Sequence, residues 1–161
     1  MADFVIDWAD ELKFERALSR IGKVPQKVAT KAAGKGATVV RKAVRDNAPV
    51  GDTGQLKRGI VRTGERSTVR GKKVYDLMFD PKKNDIFQKP IKTPGEFGGK
   101  NKKAYYPASM EYGFLTRSKG GGLSYVPGYH FMRDATDEAA PAARRAVIQT
   151  ATQELNKEWL K

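Results

Sequence analysis

From Phe131 to Trp159 apolar side chains recur at every fourth position, through Ala135, Ala139, Ala143, Val147, Ala151, Leu155 and Trp159. That spacing is a helical stripe and predicts a carboxy-terminal helix over 131–160. Pro141 falls inside it and predicts a short first turn or a kink, followed by regular helix. A second long helix is predicted over about 25–47. Pro25 suits its first turn, and Val28, Ala32, Val39, Val40, Ala43 and Val44 share one side. Lys27, Lys31, Lys35, Arg41, Lys42 and Arg45 occupy much of the rest. Gly34 and Gly36 each weaken such a helix by up to ~1 kcal/mol relative to Ala, so they imply a close helix crossing or a bend.

Before this helix, Asp3 to Trp8 alternates as a short strand would. Asp10 can then cap a helix carrying Phe14, Leu18 and Ile21 that stops near Gly22. After it, β-branched and aromatic residues recur over 56–63 and 68–79, which predicts two antiparallel strands. The stretch 81–103 is rich in Pro, Gly and Lys without a sustained period and reads as a long flexible basic arm. Residues 104–113 can form a short helix, and 114–128, with its Gly120-Gly121-Gly122 run, reads as a second extended loop. The expected fold over 1–161 is a single α+β domain: long helices on one face of a small antiparallel sheet, with the arm outside it.

Charge narrows the partners. The chain has 161 residues, 31 Lys+Arg and 18 Asp+Glu, for a net charge of +13. Residues 23–119 alone carry +15, so the basic character belongs to particular elements. Phosphate groups, acidic proteins and anionic surfaces are the classes this balance favours. Lys27, Lys31, Lys35, Lys89, Lys92, Lys100, Lys102 and Lys103 are the candidates to meet them, with Tyr105, Tyr106, Tyr112 and Phe114 near enough to offer stacking surfaces. A solvated cationic face that meets acidic neighbours in an assembly is an equal alternative. Cys is absent and His130 is the one histidine, which excludes thiol chemistry, Cys-based zinc sites and His-rich metal centres. No run approaches the ~20 apolar residues of a membrane span, and the acidic amino-terminal residues are unlike a signal peptide, so a soluble protein without membrane contact is expected.

Asp52-Thr53-Gly54 has the spelling of an aspartic-protease triplet, but that chemistry needs a buried apolar strand before it, and Arg45 to Gly51 is not one. The residues suit a turn instead, with Gly54 free to adopt positive φ. Gly95 to Lys100 and Lys119 to Gly122 lack the spacing of a phosphate-binding loop. No catalytic residue, cofactor or metal site is expected, and His130 between Tyr129 and Phe131 is a packing or backbone-bonded residue.

Three segments together resemble a family. Ala48-Pro49-Val50-Gly51-Asp52-Thr53-Gly54-Gln55-Leu56-Lys57-Arg58-Gly59-Ile60 is similar to the signature of small neck proteins of long-tailed bacteriophages, the tail-component or tail-completion proteins. Tyr106 to Gly113, with Glu111, resembles a second segment of that family, and Tyr129 to Ala135, with Phe131 and Arg133, a third. The motif positions are Pro49, Asp52, Thr53, Gly54, Leu56, Tyr106, Glu111, Gly113, Phe131, Arg133 and Ala135. The resemblance implies a non-enzymatic virion protein at the head–tail junction, assembled in the host cytoplasm as a homo-oligomeric ring, with six copies as the expected number. Its implied partners are a head-completion or stopper protein, a tail terminator or tail tube, and packaged DNA without sequence preference. A basic nucleic-acid-binding module is the alternative reading, and a hydrolase using Asp52 a third.

Overall fold

The computed structural model describes residues 8–51, 53–91, 103–117 and 121–159. Its two dominant elements are α1 (Trp8–Asn47) and α5 (Phe131–Trp159), which pack along each other. Between them in sequence lie α2 (Gln55–Gly59), β1 (Ile60–Gly64), β2 (Tyr75–Phe79), a 3-10 turn at Pro81–Lys83 and α3 (Asn84–Phe87). Then come β3 (Gln88–Pro90), β4 (Lys103–Tyr105), α4 (Tyr106–Tyr112), β5 (Gly113–Arg117) and β6 (Leu123–Pro127). The α+β expectation holds, with one difference in the sheet. There are three separate antiparallel pairs, β1–β2, β3–β4 and β5–β6.

The expected break near Gly22 does not occur, because α1 runs through Gly22 and Pro25 as one helix of 40 residues. Pro25 forfeits one backbone hydrogen bond but supplies a φ that a helix accepts, and packing on α5 supports the helix beyond its local propensity. Trp8 and Asp10 therefore lie inside a helix, where the sequence suggested the end of a strand and a cap; the rest of the expected strand lies outside the described residues. Similarly α5 passes Pro141 without ending. Both Pro141 and Asp137, whose carbonyl loses its donor, are exposed, so water can satisfy that group.

Gly36 settles the choice between a crossing and a bend. A Cβ built there would lie 2.5 Å from Cγ2 of Val147, so α5 approaches α1 at this point too closely for a side chain. The core continues along this face through Val44, Ala48, Leu56, Ile60, Phe131 and Ala135, flanked by Phe79, Tyr106, Met110 and Met132. Phe79 meets Phe87, Tyr105 and Phe131 edge to face at centroid distances of 5.6, 6.4 and 6.4 Å.

Three further expectations change. Residues 55–59 are helical, and the first strand starts at Ile60, because a single turn brings Leu56 and Ile60 into the core together. Arg45 Nε donates to the Lys57 carbonyl at 3.0 Å near the end of that turn. The second strand is confined to 75–79, with a turn over 69–72 before it. The arm is also shorter than 81–103. Phe87 is fully buried, its ring over Gly59, and β3 pairs with β4 so that Pro90 faces Lys103. One large aromatic in the core outweighs the surrounding Lys and Pro in fixing the segment. Residues 92–102 lie outside the described part. Likewise the described residues of 114–128 are mostly strand: β5 and β6 pair as a hairpin, registered from Gly113 opposite Pro127 to Arg117 opposite Leu123.

Candidate functional site

The second and third motif segments meet at the amino-terminal end of α5. Glu111, buried near the end of α4, aims its carboxylate at the first turn of that helix. Oε2 accepts the Met132 N–H at 2.9 Å and Oε1 the Arg133 N–H at 3.2 Å. The first amides of a helix have no partner within it, and the positive end of the helix dipole favours a negative group there. Glu111 therefore caps α5 from another element, through two charge-assisted bonds. The return path is backbone: Tyr129 N–H donates to the Met110 carbonyl at 2.8 Å and His130 N–H to the Glu111 carbonyl at 3.1 Å. The end of α4 and the start of α5 thus satisfy each other at one corner.

Two glycines permit this corner. Gly113 has φ 84, and a Cβ on it would lie 2.3 Å from the Val126 carbonyl oxygen. A Cβ on Gly128 would lie 2.2 Å from the Glu111 carbonyl oxygen. His130 also holds a left-handed backbone, with φ 49, and its carbonyl accepts the Asp134 N–H at 2.9 Å to begin the helix. Its role here is therefore carried by backbone groups.

The first motif joins the same centre from the other side. Leu56 is buried with Phe131 and Ala135, and Tyr106 packs against that cluster. Gly54 has φ 59 and donates its N–H to the Gly51 carbonyl at 3.0 Å, the turn its sequence implied. Pro49 is half-buried, Thr53 is exposed, and Asp52 lies outside the described residues. Arg133 is exposed and paired with Asp134 at 2.9 Å. Leu56, Tyr106, Glu111, Gly113, Phe131 and Ala135 thus hold α2, α4 and α5 around a common core.

Among the described residues the candidate lysines are not all free charge. Lys27 is ion-paired with Glu158, and Lys31 with Glu154 at 2.5 Å, both across to α5. Lys157 adds a 3.2 Å pair to Glu154. The hydrogen bond and charge of Glu158 raise the Lys27 pKa, and bonds from Lys31 and Lys157 lower that of Glu154. Arg62 is also engaged internally: it donates to the Gly34 carbonyl and to Thr38 Oγ1 at 2.7 Å, and its guanidinium lies 4.9 Å from the Tyr75 ring centroid. Lys35, Lys89 and Lys103 are exposed; Lys92, Lys100 and Lys102 lie outside the described residues.

The β5–β6 hairpin has the opposite character. Phe114, Leu115, Leu123 and Tyr125 are 45–65% exposed, and successive strand residues point to opposite faces, so apolar groups stand on both sides of it. The Tyr125 hydroxyl donates to the Tyr112 carbonyl at 2.6 Å, fastening the hairpin base to α4. The glycine run makes this segment read as a loop in the sequence. The signal available was its cluster of aromatic and β-branched residues on both sides of the glycines.

Among the described residues no group of three or more His, Asp or Glu is placed to hold a metal ion, and no helix is long and apolar enough to cross a membrane.

The family model described as "Bacteriophage HK97-gp10, putative tail-component" matches residues 13–107, more than half of the chain. The match ends just inside the second motif segment, whose Glu111 the structure ties to the third. No curated protein and no solved structure matches.

Proposed function

Since the chain belongs to the bacteriophage HK97-gp10 tail-component family, we propose that it is a structural protein of the head–tail junction, a neck or tail-completion subunit that joins tail to head. It acts as a homo-oligomeric ring, for which six copies match the symmetry of a long phage tail. Its neighbours are a head-completion or stopper protein on one side and a tail terminator or tail tube on the other. It functions within the virion after assembly in the host cytoplasm, and no residue is assigned a catalytic role.

The observation that carries this reading is the family match over 13–107. The use of motif residues supports it. Leu56, Glu111, Gly113, Phe131 and Ala135 are spent on locking the fold, which leaves the exposed surface to provide function through contact. A phage carrying a stop codon in this gene should produce filled heads and complete but separate tails, seen by negative-stain microscopy. Joined, infectious particles from that mutant would overturn the proposal.

Packaged DNA is a secondary partner, suggested by the exposed Lys35, Lys89 and Lys103. Such contacts carry no base recognition and weaken steeply with salt, by on the order of 10³-fold between low and moderate ionic strength when six or more phosphates are neutralised. Tight, sequence-selective binding at physiological salt would favour the nucleic-acid-binding module instead.

A further inference from the structure

We infer that the β5–β6 hairpin of one copy docks on the open edge of β2 in the next copy, extending the β1–β2 pair and forming the head-to-tail contact of the ring. The inference rests on the ring reading above and specifies its interface.

The receiving edge follows from the ladder. Glu65 N–H donates to the Val74 carbonyl at 3.1 Å and Asp80 N–H to the Gly59 carbonyl at 2.7 Å. With Ile60 opposite Phe79 and Gly64 opposite Tyr75, these bonds make 59–80, 61–78, 63–76 and 65–74 the hydrogen-bonded pairs, so on β2 the even-numbered residues face β1. Tyr75, Leu77 and Phe79 therefore turn their N–H and C=O groups away from β1. Among the described residues no strand pairs with that side of β2. An apolar groove of about 640 Å³ runs beside this edge, lined by Leu77, Met78, Phe79, Pro107 and Met132 among others. A row of unpaired strand groups next to an apolar groove is what an added strand requires.

The inserting part is in the same chain. A lone two-stranded hairpin is marginal in water and gains stability when further strands or a packed face are added. This hairpin has apolar side chains open on both faces and five-residue strands, the same length as β2. Charge does not oppose the pairing: the sequence 113–127 contains no carboxylate, while Asp76 and Asp80 lie on and just after β2. Each copy thus carries both halves of a heterologous contact, and repetition of such a contact closes a ring or grows a filament. A second copy is the occupant that satisfies both halves at once.

The test compares masses by light scattering and native mass spectrometry. Wild type should be a closed oligomer. Leu115→Asp/Leu123→Asp, which damages the hairpin, and Met78→Glu, which damages the groove, should each be monomeric with unchanged circular dichroism. Mixed in equal amounts, they should give a heterodimer, since one intact hairpin then meets one intact groove; its dissociation constant should be at least 100-fold below that of either variant alone. Because the chain lacks cysteine, Thr116→Cys combined with Met78→Cys gives an independent readout. A short bismaleimide should link this double variant into a ladder of copies and leave each single-cysteine variant without higher bands. A hairpin variant that keeps the wild-type oligomeric mass, or a mixture that fails to pair, would overturn this interface and leave the ring standing. A wild type that is monomeric at all concentrations would overturn the ring itself.

Discussion

Glu111 and Leu115 are four residues apart and stand in opposite physical situations. Glu111 is buried, with both carboxylate oxygens bonded to the first turn of α5. Leu115 is half-exposed on a strand whose apolar neighbours also face outward. Gly113 marks the change, with a backbone conformation that side chains disfavour and no room for a Cβ. The contrast separates what fixes the fold from what is left open. Groups at the α4–α5 corner satisfy one another within the chain, so altering one costs folding free energy. The apolar side chains of Phe114, Leu115 and Leu123 on the hairpin stay largely exposed, so altering them costs association and little stability.

That contrast can be broken by measurement, most sharply at Phe131. Phe131→Ala should lose about 3–5 kcal/mol, because it removes a buried ring that meets Phe79 and leaves a cavity in the core. Thermal unfolding should shift down by roughly 10 °C or more for a domain of this size. Leu115→Asp/Leu123→Asp should stay within about 0.5 kcal/mol per site, the usual range for surface changes. Equal losses at the two regions would erase the distinction.

Gly113→Ala should come next, with a loss of about 2–3 kcal/mol, since both its φ and the nearby Val126 carbonyl oppose a side chain. Urea denaturation monitored by circular dichroism would show a lower midpoint with an unchanged slope. A neutral result would mean that the hairpin shifts freely relative to α4.

Glu111→Ala should cost about 1–3 kcal/mol by leaving two amides at the start of α5 without their acceptor. Glu111→Gln should lose less, because a side-chain amide oxygen can still accept one of the two bonds. Amide exchange at Met132 and Arg133 should accelerate in the Ala variant more than exchange in the middle of α5. Uniform acceleration along α5 would show that Glu111 acts on the whole helix and not on its first turn.

The smallest effect is expected far from this corner, where Lys31 and Lys157 bond Glu154 and lower its pKa. A carboxyl depressed in the folded state adds stability that is fully present above its ordinary pKa and is lost as pH falls through the lower folded value. Glu154→Gln should therefore lower the melting temperature slightly at pH 7, and the difference from wild type should shrink below about pH 4. A difference that persists unchanged at low pH would assign the effect to packing.

The parts of this fold that were legible are those whose signal is local. The stripes of α1 and α5 have the helical period in the sequence itself, and Gly54 stands in a turn that needs positive φ. The hairpin was not legible because the period-two pattern of a strand arises when one face is buried and the other wet. Here Phe114, Leu115, Leu123 and Tyr125 are exposed on both faces, so that alternation is missing. Phe87 was hidden for a different reason: a single buried aromatic in a short Lys- and Pro-rich run leaves no period to detect. Among the site residues, the resemblance marked Glu111 as a motif position, but its role depends on Met132 and Arg133, which lie more than twenty residues further along the chain.

By itself the sequence determined two long helices, a turn at Gly54, a strongly basic middle block and membership of a phage tail-component family, since each rests on residue types and spacings along the chain and needs no knowledge of its packing. Tertiary structure decided whether Gly36 means a bend or a crossing, because the answer is the position of Val147 on another helix. It also decided which cations are already engaged: Lys27 and Lys31 find their carboxylates 131 and 123 residues away, on α5. Ion pairs, caps and close crossings depend on distances between groups remote in sequence, and those distances are set only when the helices pack.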